Sequence, residues 1–276
     1  MIRVKDTQTS LDHVRFVFLH NKRAFYSRFG DADIYMIMGR NAANHSVTPE
    51  LSKEMTAAFQ IDHPLYLRGL AVNHPRERGM VRGLFAIFKA NQEMIEFLDA
   101  KFGSVRDVVF ENPVFLHYLG VFQPHIVNKF LAELIRPKCK MYIGCIPKDK
   151  VEKLIGSVHY YVETPARNAY ATIDQWWPNV VQHIHDVELI IPAAGQATRV
   201  INKRLWEMGV EIQSFDIGSL VDVADERQTR KWIRLAGHRI DRYIINSHKN
   251  LNFTERMIYL RGEVKLKMYS LIKSLT

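Results

Sequence analysis

The stretch that decides the fold is Ala24-Phe25-Tyr26-Ser27-Arg28-Phe29-Gly30-Asp31-Ala32-Asp33. Its first six residues form a short run rich in aromatic side chains, which predicts a buried strand. Gly30 then permits a tight turn, and residues 34–38 are expected to form a short helix. A strand followed at once by a helix is typical of an α/β protein, so the rest of the chain is read for the same alternation.

The alternation recurs along the whole sequence. Helical stretches are predicted from Pro49 toward Phe59, from Arg78 to Lys101, from Val151 to Ile155 and from Thr198 to Met208. Between them lie short apolar runs with strand character, namely Pro64–Leu67, Asp107–Phe110, Met141–Ile143, His159–Val162, Glu188–Pro192 and Ile212–Ile217. This order predicts a mainly parallel sheet with helices on both faces, in which ligands bind beyond the carboxyl ends of the strands.

Composition excludes several classes of protein. The chain has 276 residues, of which 47% are hydrophobic and 24% charged, as in an ordinary globular protein of one large or two small domains. The two cysteines, Cys139 and Cys145, form neither a disulfide framework nor a CxxC metal pair, so they are expected to be free thiols.

The charge is concentrated in one part of the chain. The net charge is +9, and residues 226–276 contain twelve Lys and Arg against four Asp and Glu, which leaves +1 for the first 225 residues. Such a basic region is typical of binding to a polyanion or an anionic membrane, although a solvated helix face is the more common reason for a run of charges. We predict a domain over residues 1–225 and a basic helical segment over 226–276 that packs on it.

No targeting signal is recognisable. Residues 1–12 are polar, and no stretch approaches the roughly 18 apolar residues of a membrane span. The expected location is the cytoplasm, or the host cytoplasm if the protein is viral, without integral membrane contact.

Arg28, Gly30, Asp31 and Asp33 follow the first strand. Two carboxylates two residues apart are suitable ligands for one Mg²⁺ or Mn²⁺ that also binds a diphosphate, and Arg28 suits a phosphate. The alternative is that Asp31 and Asp33 cap the helix that follows. Both interpretations are open from the spacing alone.

Polar or glycine-containing stretches follow three further strands. Pro165-Ala166-Arg167-Asn168-Ala169-Tyr170 offers a cation and an amide for an anionic or nucleotide ligand, or is an ordinary loop. Ala194-Gly195-Gln196-Ala197-Thr198 and Asp216-Ile217-Gly218-Ser219 place glycine after a strand, where a backbone can approach a ligand closely. Neither matches GxGxxG or a P-loop.

Together these four motifs, in this order, resemble the GT-D glycosyltransferase family, in which RFGDGE, PAKNAF-like, GPTAT-like and DIGH segments follow one another. The correspondence runs from about Phe25 to Gly237 and is weak between Gln60 and Lys140. The sequence departs from the family's pattern at Ala32, Asp33, the segment Gln196–Thr198, and Ser219, where the family usually has histidine.

The resemblance implies a Rossmann-like fold, a nucleotide-sugar donor, with UDP-sugar expected, and a divalent cation, Mn²⁺ or Mg²⁺. It implies that Asp31 and Asp33 hold the cation and the donor diphosphate. The residues that it assigns to the donor side are Arg28, Gly30, Arg167, Asn168, Gly195, Gln196, Thr198 and Asp216. The cation and Arg28 would stabilise the leaving diphosphate. Asp216 and Asp222 are candidates for the base that activates the acceptor hydroxyl, or are structural carboxylates.

The acceptor is predicted from the basic regions. Apolar residues recur at helical spacing from Met257 to Leu275, with Arg261, Lys265, Lys267 and Lys273 among them. With Arg76 and Arg78, Lys265 and Lys267 are expected to bind the acceptor. Three functions are open: transfer to 5-hydroxymethylated pyrimidines in DNA, as by phage enzymes, which is favoured; transfer to a glycan, glycoprotein or lipid-linked acceptor at a membrane surface; and nucleic-acid binding without catalysis.

Overall fold

The computed structural model describes residues 2–42, 46–72, 92–103, 105, 107–225, 231–247 and 249–274. The strands are β1 (Arg3–Val4), β2 (Ala24–Phe29), β3 (Tyr66–Leu70), β4 (Val109–Phe110), β5 (Lys140–Gly144), β6 (Tyr160–Glu163), β7 (Leu189–Ala193) and β8 (Gln213–Phe215). The helices are α1 (Thr7–His20), α2 (Asp31–Ile37), α3 (Pro49–Gln60), α4 (Gln92–Phe102), α5 (Phe115–Phe122), α6 (Pro124–Leu134), α7 (Lys148–Ile155), α8 (Ile173–His183), α9 (Ala197–Glu207), α10 (Lys231–Ile240) and α11 (Phe253–Ser274).

One parallel sheet organises the described residues. Its strand order is β3-β2-β8-β7-β5-β6, and every neighbouring pair is parallel. The strands β1 and β4 form a separate parallel pair, which touches β3 through a bridge between Gly69 and Glu111. The predicted α/β fold with a mainly parallel sheet is confirmed.

Helices cover both faces of the sheet. Successive strand residues point to opposite sides, and on both sides they are apolar. Tyr26, Tyr142 and Phe215 pack into one hydrophobic cluster with α1, α5, α6, α7 and α10. Phe25, Met141 and Ile190 pack into the other, with α2, α3, α4, α8 and α9. A sheet that is buried on both faces explains why its strands appear in the sequence as apolar runs without clear alternation.

The predicted element bounds differ from the observed ones mainly at their ends. Ala24–Phe29 is a strand over its full predicted length, whereas the strand predicted at Pro64 begins only at Tyr66, since residues 63–65 form a turn. The helix α3 begins at Pro49 as predicted, and Thr48 caps it, because its side chain accepts a hydrogen bond from the Leu51 backbone N–H at 3.1 Å. Of the helix predicted over 78–101, residues 78–91 lie outside the described residues.

The basic C-terminal segment contributes to the core. Ile233, Ile240, Ile244 and Leu266 are buried in the cluster that contains α5 and α6. The helix α10 packs on α5, and α11 packs on α10. The predicted boundary near residue 226 falls at residues 226–230, outside the described ones, and stays a prediction. Among the described helices, none is long and apolar enough to cross a bilayer.

Candidate functional site

Three of the sequence motifs meet at one edge of the sheet. The segments 30–33, 216–219 and 194–199 follow the carboxyl ends of β2, β8 and β7, and β8 lies between the other two strands. Residues that are about 165 to 185 positions apart in the chain therefore become neighbours. This edge is where ligands bind in parallel α/β sheets, so the three loops form the candidate site.

A buried ion-pair cluster joins the three loops. Nη2 of Arg199 lies 2.8 Å from Oδ2 of Asp33, and its Nη1 lies 3.5 Å from Oδ2 of Asp216. All three residues are at most 7% exposed. Burial lowers the pKa of Arg199, but the two carboxylates outweigh it and raise that pKa overall. Arg199 stays charged and holds both loops, a role that the sequence does not reveal because the partners are distant in the chain.

Asp33 has a structural role at the start of α2. Its Oδ2 accepts a hydrogen bond from the Gly30 backbone N–H at 2.7 Å, so the side chain of the third helical residue caps the N–H of the residue before the helix. Burial raises the pKa of Asp33, while Arg199 and the Gly30 N–H lower it. The sequence left open whether Asp33 caps the helix or binds a cation, and the contact with the Gly30 N–H corresponds to the helix cap. Asp33 was also expected to hold the cation; its Oδ2 contacts Arg199 in this structure, and its binding of a cation stays a prediction.

Asp31 differs from Asp33 in exposure. It lies in the first turn of α2 with its carboxylate in solvent, where Oδ1 accepts a hydrogen bond from the Ala32 N–H at 2.9 Å. Within the described residues, no group of three or more His, Cys, Asp or Glu side chains is placed to bind a metal. The carboxylates of this site therefore fit a cation in one way that proteins often use for Mg²⁺. One protein carboxylate binds the ion together with phosphate groups of the substrate.

Arg28 lies against a loop whose conformation favours glycine. Gly218 has φ +60°, and a Cβ at this position would lie 1.5 Å from Nη1 of Arg28. The same Nη1 lies 3.3 Å from Nε2 of His117, on α5. The absent Cβ thus provides the space in which the guanidinium sits.

His117 is a site residue that the sequence analysis missed. It is buried, and its Nε2 lies 3.5 Å from Oγ of Ser219, the position at which the resemblance expects histidine. An imidazole is therefore present beside this loop, although it comes from another element. His117 lies in the stretch of weak resemblance, and a histidine inside the otherwise apolar α5 is the only signal that marks it.

Both carboxylate oxygens of Asp216 accept hydrogen bonds from the backbone. Its Oδ2 accepts a hydrogen bond from the Arg28 backbone N–H at 3.2 Å, and its Oδ1 accepts one from the Gly218 N–H at 3.0 Å. With Arg199 close by, this carboxylate positions two loops. Asp222 is half-buried in the turn of 3₁₀ helix from Gly218 to Val223, where it contributes to the raised pKa of Tyr142.

The loop after β7 has one open side. Gly195 has φ +60°, is exposed, and has no heavy atom within 4 Å of the place where a Cβ would be. Gln196 beside it is half-buried. Thr198, in contrast, is buried, and its hydroxyl accepts a hydrogen bond from the Ala194 N–H at 3.1 Å. Gly195 and Gln196 are thus placed to meet a ligand, whereas Thr198 holds the loop.

The remaining predicted site residues lie apart from this cluster. Arg167 and Asn168 are exposed beyond β6, an edge strand that β5 separates from β7. Asn168 has φ +52°, a left-handed conformation that asparagine tolerates. Lys265 and Lys267 are exposed on α11. Arg76 and Arg78 lie outside the described residues.

Comparisons with known proteins give a fold. No family model and no curated protein matches the chain. A solved structure described as a new glycosyltransferase (DUF1792) from Streptococcus sanguinis is similar, with a TM-score of 0.61 and 19% identity over 82% of this chain and 84% of that one. This chain has the GT-D fold. A structure whose description states that DUF1792 has a distinct glycosyltransferase fold is also similar, with a TM-score of 0.56, 17% identity and coverage of 82% and 80%.

Proposed function

We propose that this protein is a glycosyltransferase that moves a sugar from a nucleoside-diphosphate sugar, with UDP-sugar expected, to an acceptor hydroxyl. The observation that carries the proposal is the meeting of three GT-D-like motifs at the carboxyl ends of β2, β8 and β7, in a fold shared with a described glycosyltransferase. The structural similarity, with a TM-score of 0.61, supports the fold, and the site residues support the chemistry.

Charged and polar groups at the candidate site are suited to bind such a donor. Arg28 is half-buried at the end of β2, beside Gly218 and His117, and is suited to bind a phosphate of the donor. Gly195 and Gln196 offer backbone and amide groups on the other side of β8. Arg167 and Asn168 are proposed to reach the donor from the neighbouring loop after β6.

A divalent cation, Mn²⁺ or Mg²⁺, is proposed to accompany the donor, held by Asp31 and the diphosphate. When bound, it would neutralise charge that develops on the leaving diphosphate. Asp33 is proposed to orient α2, and hence Asp31, through its bonds to Gly30 and Arg199. Its direct ligation of the cation stays a prediction.

The acceptor base is proposed to be Asp222 rather than Asp216. Both oxygens of Asp216 already accept hydrogen bonds from backbone N–H groups, and Arg199 lies beside it. These contacts occupy Asp216 in holding the two loops together, so an acceptor hydroxyl would have to displace one of them. Asp222 is half-buried on the next turn of the same segment.

Asp31 tests the proposed donor site. Asp31→Asn is expected to lower kcat/KM for sugar transfer by about 100-fold or more, because one charged ligand of the transition state is lost. Asp174→Asn is the matched control, since Asp174 is an exposed aspartate in the first turn of α8. Thermal unfolding of both variants should match the wild type. Full activity of Asp31→Asn in the presence of a chelator would contradict the cation site.

The acceptor is tested separately. UDP-sugars with Mn²⁺ are offered to hydroxymethylated duplex DNA and to a glycan mixture, and products are identified by mass. Transfer to DNA that weakens steeply with salt is the result predicted from the net charge of residues 226–276 alone. Transfer only to glycans would favour the second candidate, a glycan or lipid-linked acceptor at a membrane. One observation favours that candidate: the described cations of α11 flank apolar side chains, which a phosphate backbone would not cover.

A further inference from the structure

The outer face of α11 carries an exposed apolar stripe. Its five residues are Phe253, Met257, Leu260, Val264 and Met268, which are between 37% and 78% exposed. At 100° per residue they lie within an arc of about 80° and extend over about 23 Å. None of them belongs to either hydrophobic cluster of the described residues. The stripe is too regular to be a scatter of surface residues.

The opposite face of α11 packs on the protein. Leu266 is buried in the core, and Gly262 lies against the ring of His238 on α10. A Cβ at Gly262 would come within 2.4 Å of that ring, so the two helices are in close contact. The apolar stripe therefore points away from the domain, and no repacking of α11 on α10 is needed to present it.

Four basic residues border the stripe on both sides. On the helical wheel, Arg256 and Lys267 lie along one border and Arg261 and Lys265 along the other. All four are exposed, and none forms an ion pair with a described carboxylate. The two acidic residues of α11 are already paired: Glu255 with Lys249 at 2.6 Å, and Glu263 with Arg239 at 2.6 Å. The face is thus apolar at its centre and cationic along both borders.

We propose that α11 docks this protein on the surface of an anionic phospholipid bilayer. The apolar stripe enters the boundary between headgroups and acyl chains, and the bordering Lys and Arg side chains extend back to lipid phosphates. The helix lies in the plane of the surface, in keeping with the finding that no described helix can span a membrane. The proposal does not depend on the proposed enzymatic activity.

Charge decides against two other occupants. A second copy of the stripe would bring four cations of each protomer together, without carboxylates on the borders to pair with them. Duplex DNA would neutralise the cations but leave five apolar side chains in water, since phosphate and sugar contacts give them no partner. An anionic bilayer satisfies both the apolar and the cationic parts of the face.

The test is co-sedimentation of the full-length protein with two kinds of vesicle, pure phosphatidylcholine and phosphatidylcholine with about one third phosphatidylserine. Binding to the anionic vesicles alone is expected, and it should weaken with added salt. Val264→Glu should lose at least about tenfold in affinity. Leu19→Glu is the control, because Leu19 is a similarly exposed leucine on α1.

The contribution of charge is measured with a double variant. Lys265→Gln with Lys267→Gln should bind anionic vesicles about 25-fold more weakly, at about fivefold for each charge. Lys53→Gln with Lys153→Gln removes two exposed lysines from α3 and α7 and should bind like the wild type. Circular dichroism and thermal midpoints confirm that each variant is folded.

Four outcomes would overturn the proposal. They are absence of wild-type binding to anionic vesicles, equal binding by Val264→Glu and Leu19→Glu, and a solution dimer that Val264→Glu makes monomeric. The fourth is binding to duplex DNA in preference to vesicles, with loss through the lysine variant only.

Discussion

Gly218 and Arg28 show how one absent side chain shapes the candidate site. The guanidinium of Arg28 occupies the volume in which a Cβ of residue 218 would lie, and φ of +60° adds a second reason for glycine. Gly195 has the same φ but open space around it. Substitution of each glycine by alanine therefore distinguishes the effect of backbone conformation from the effect of a close contact with Arg28.

Gly195→Ala is expected to cost about 1–2 kcal/mol of the free energy of unfolding, because a left-handed conformation is disfavoured by Cβ. Gly218→Ala should cost more, since Arg28 must also move, and should lower transferase activity well beyond its effect on stability. Urea unfolding and steady-state kinetics measure both effects. Equal losses in the two variants would show that Arg28 is not held by this contact.

Arg199 is the residue on which two buried carboxylates depend. Arg199→Met would leave Asp33 and Asp216 without their cation, which is expected to cost about 3–5 kcal/mol of the free energy of unfolding. Arg204→Met is the control on the same helix: Arg204 lies 3.3 Å from Glu54 near the surface and should cost about 1 kcal/mol or less. Similar losses of unfolding free energy in both variants would contradict the assignment of Arg199 as the buried cation that holds Asp33 and Asp216.

Residue types near the site were predictable, but their partners were not. The sequence pointed to the glycines and acids after β2, β7 and β8 because such residues end strands recognisably. It could not reveal that Arg199 pairs with Asp33, because that contact depends on which strands become neighbours. His117 was missed for the same reason, since α5 reaches the site only through packing.

At the scale of elements, α10 connects the outer helix to the core. Ile240 on α10 packs against Gly120 on α5, and His238 faces Gly262 on α11. Burial lowers the pKa of His238, although Glu263, whose Oε1 lies 3.6 Å from Nε2, raises it. The contact between α10 and α11 is therefore sensitive to protonation of one imidazole.

The sign of this pH effect follows from proton binding. With its pKa lowered by folding, His238 binds fewer protons in the folded than in the unfolded protein. The free energy of unfolding should therefore fall as pH decreases below about 6.5, and its fall due to His238 should stop below the folded pKa. His238→Gln should show a smaller fall between about pH 8 and pH 5, measured by urea unfolding. The exposed His125→Gln is the control, and an unchanged pH dependence in His238→Gln would contradict the prediction.

At the scale of the whole molecule, the fold class was readable from sequence and the topology was not. Strand positions followed from short apolar runs, and helices such as α3, α7 and α9 from caps and spacing, whereas α1, α5, α6 and α8 were not singled out. The strand order β3-β2-β8-β7-β5-β6 could not be derived, because it depends on which crossover packs on which face. The net charge was also predictable in amount and position along the chain. That these cations border an apolar stripe could be recognised only once the position of α11 on the domain was known.

The position of β8 has a consequence for synthesis of the protein. Gln213 pairs with Ala24 on one side and Leu189 on the other, so the last strand of the described chain joins β3-β2 to β7-β5-β6. While the ribosome is still producing the first 212 residues, the nascent chain can contain two sheet fragments that each have an open edge. Unpaired edges of this kind promote aggregation. We therefore expect the nascent chain to be prone to aggregation until β8 emerges.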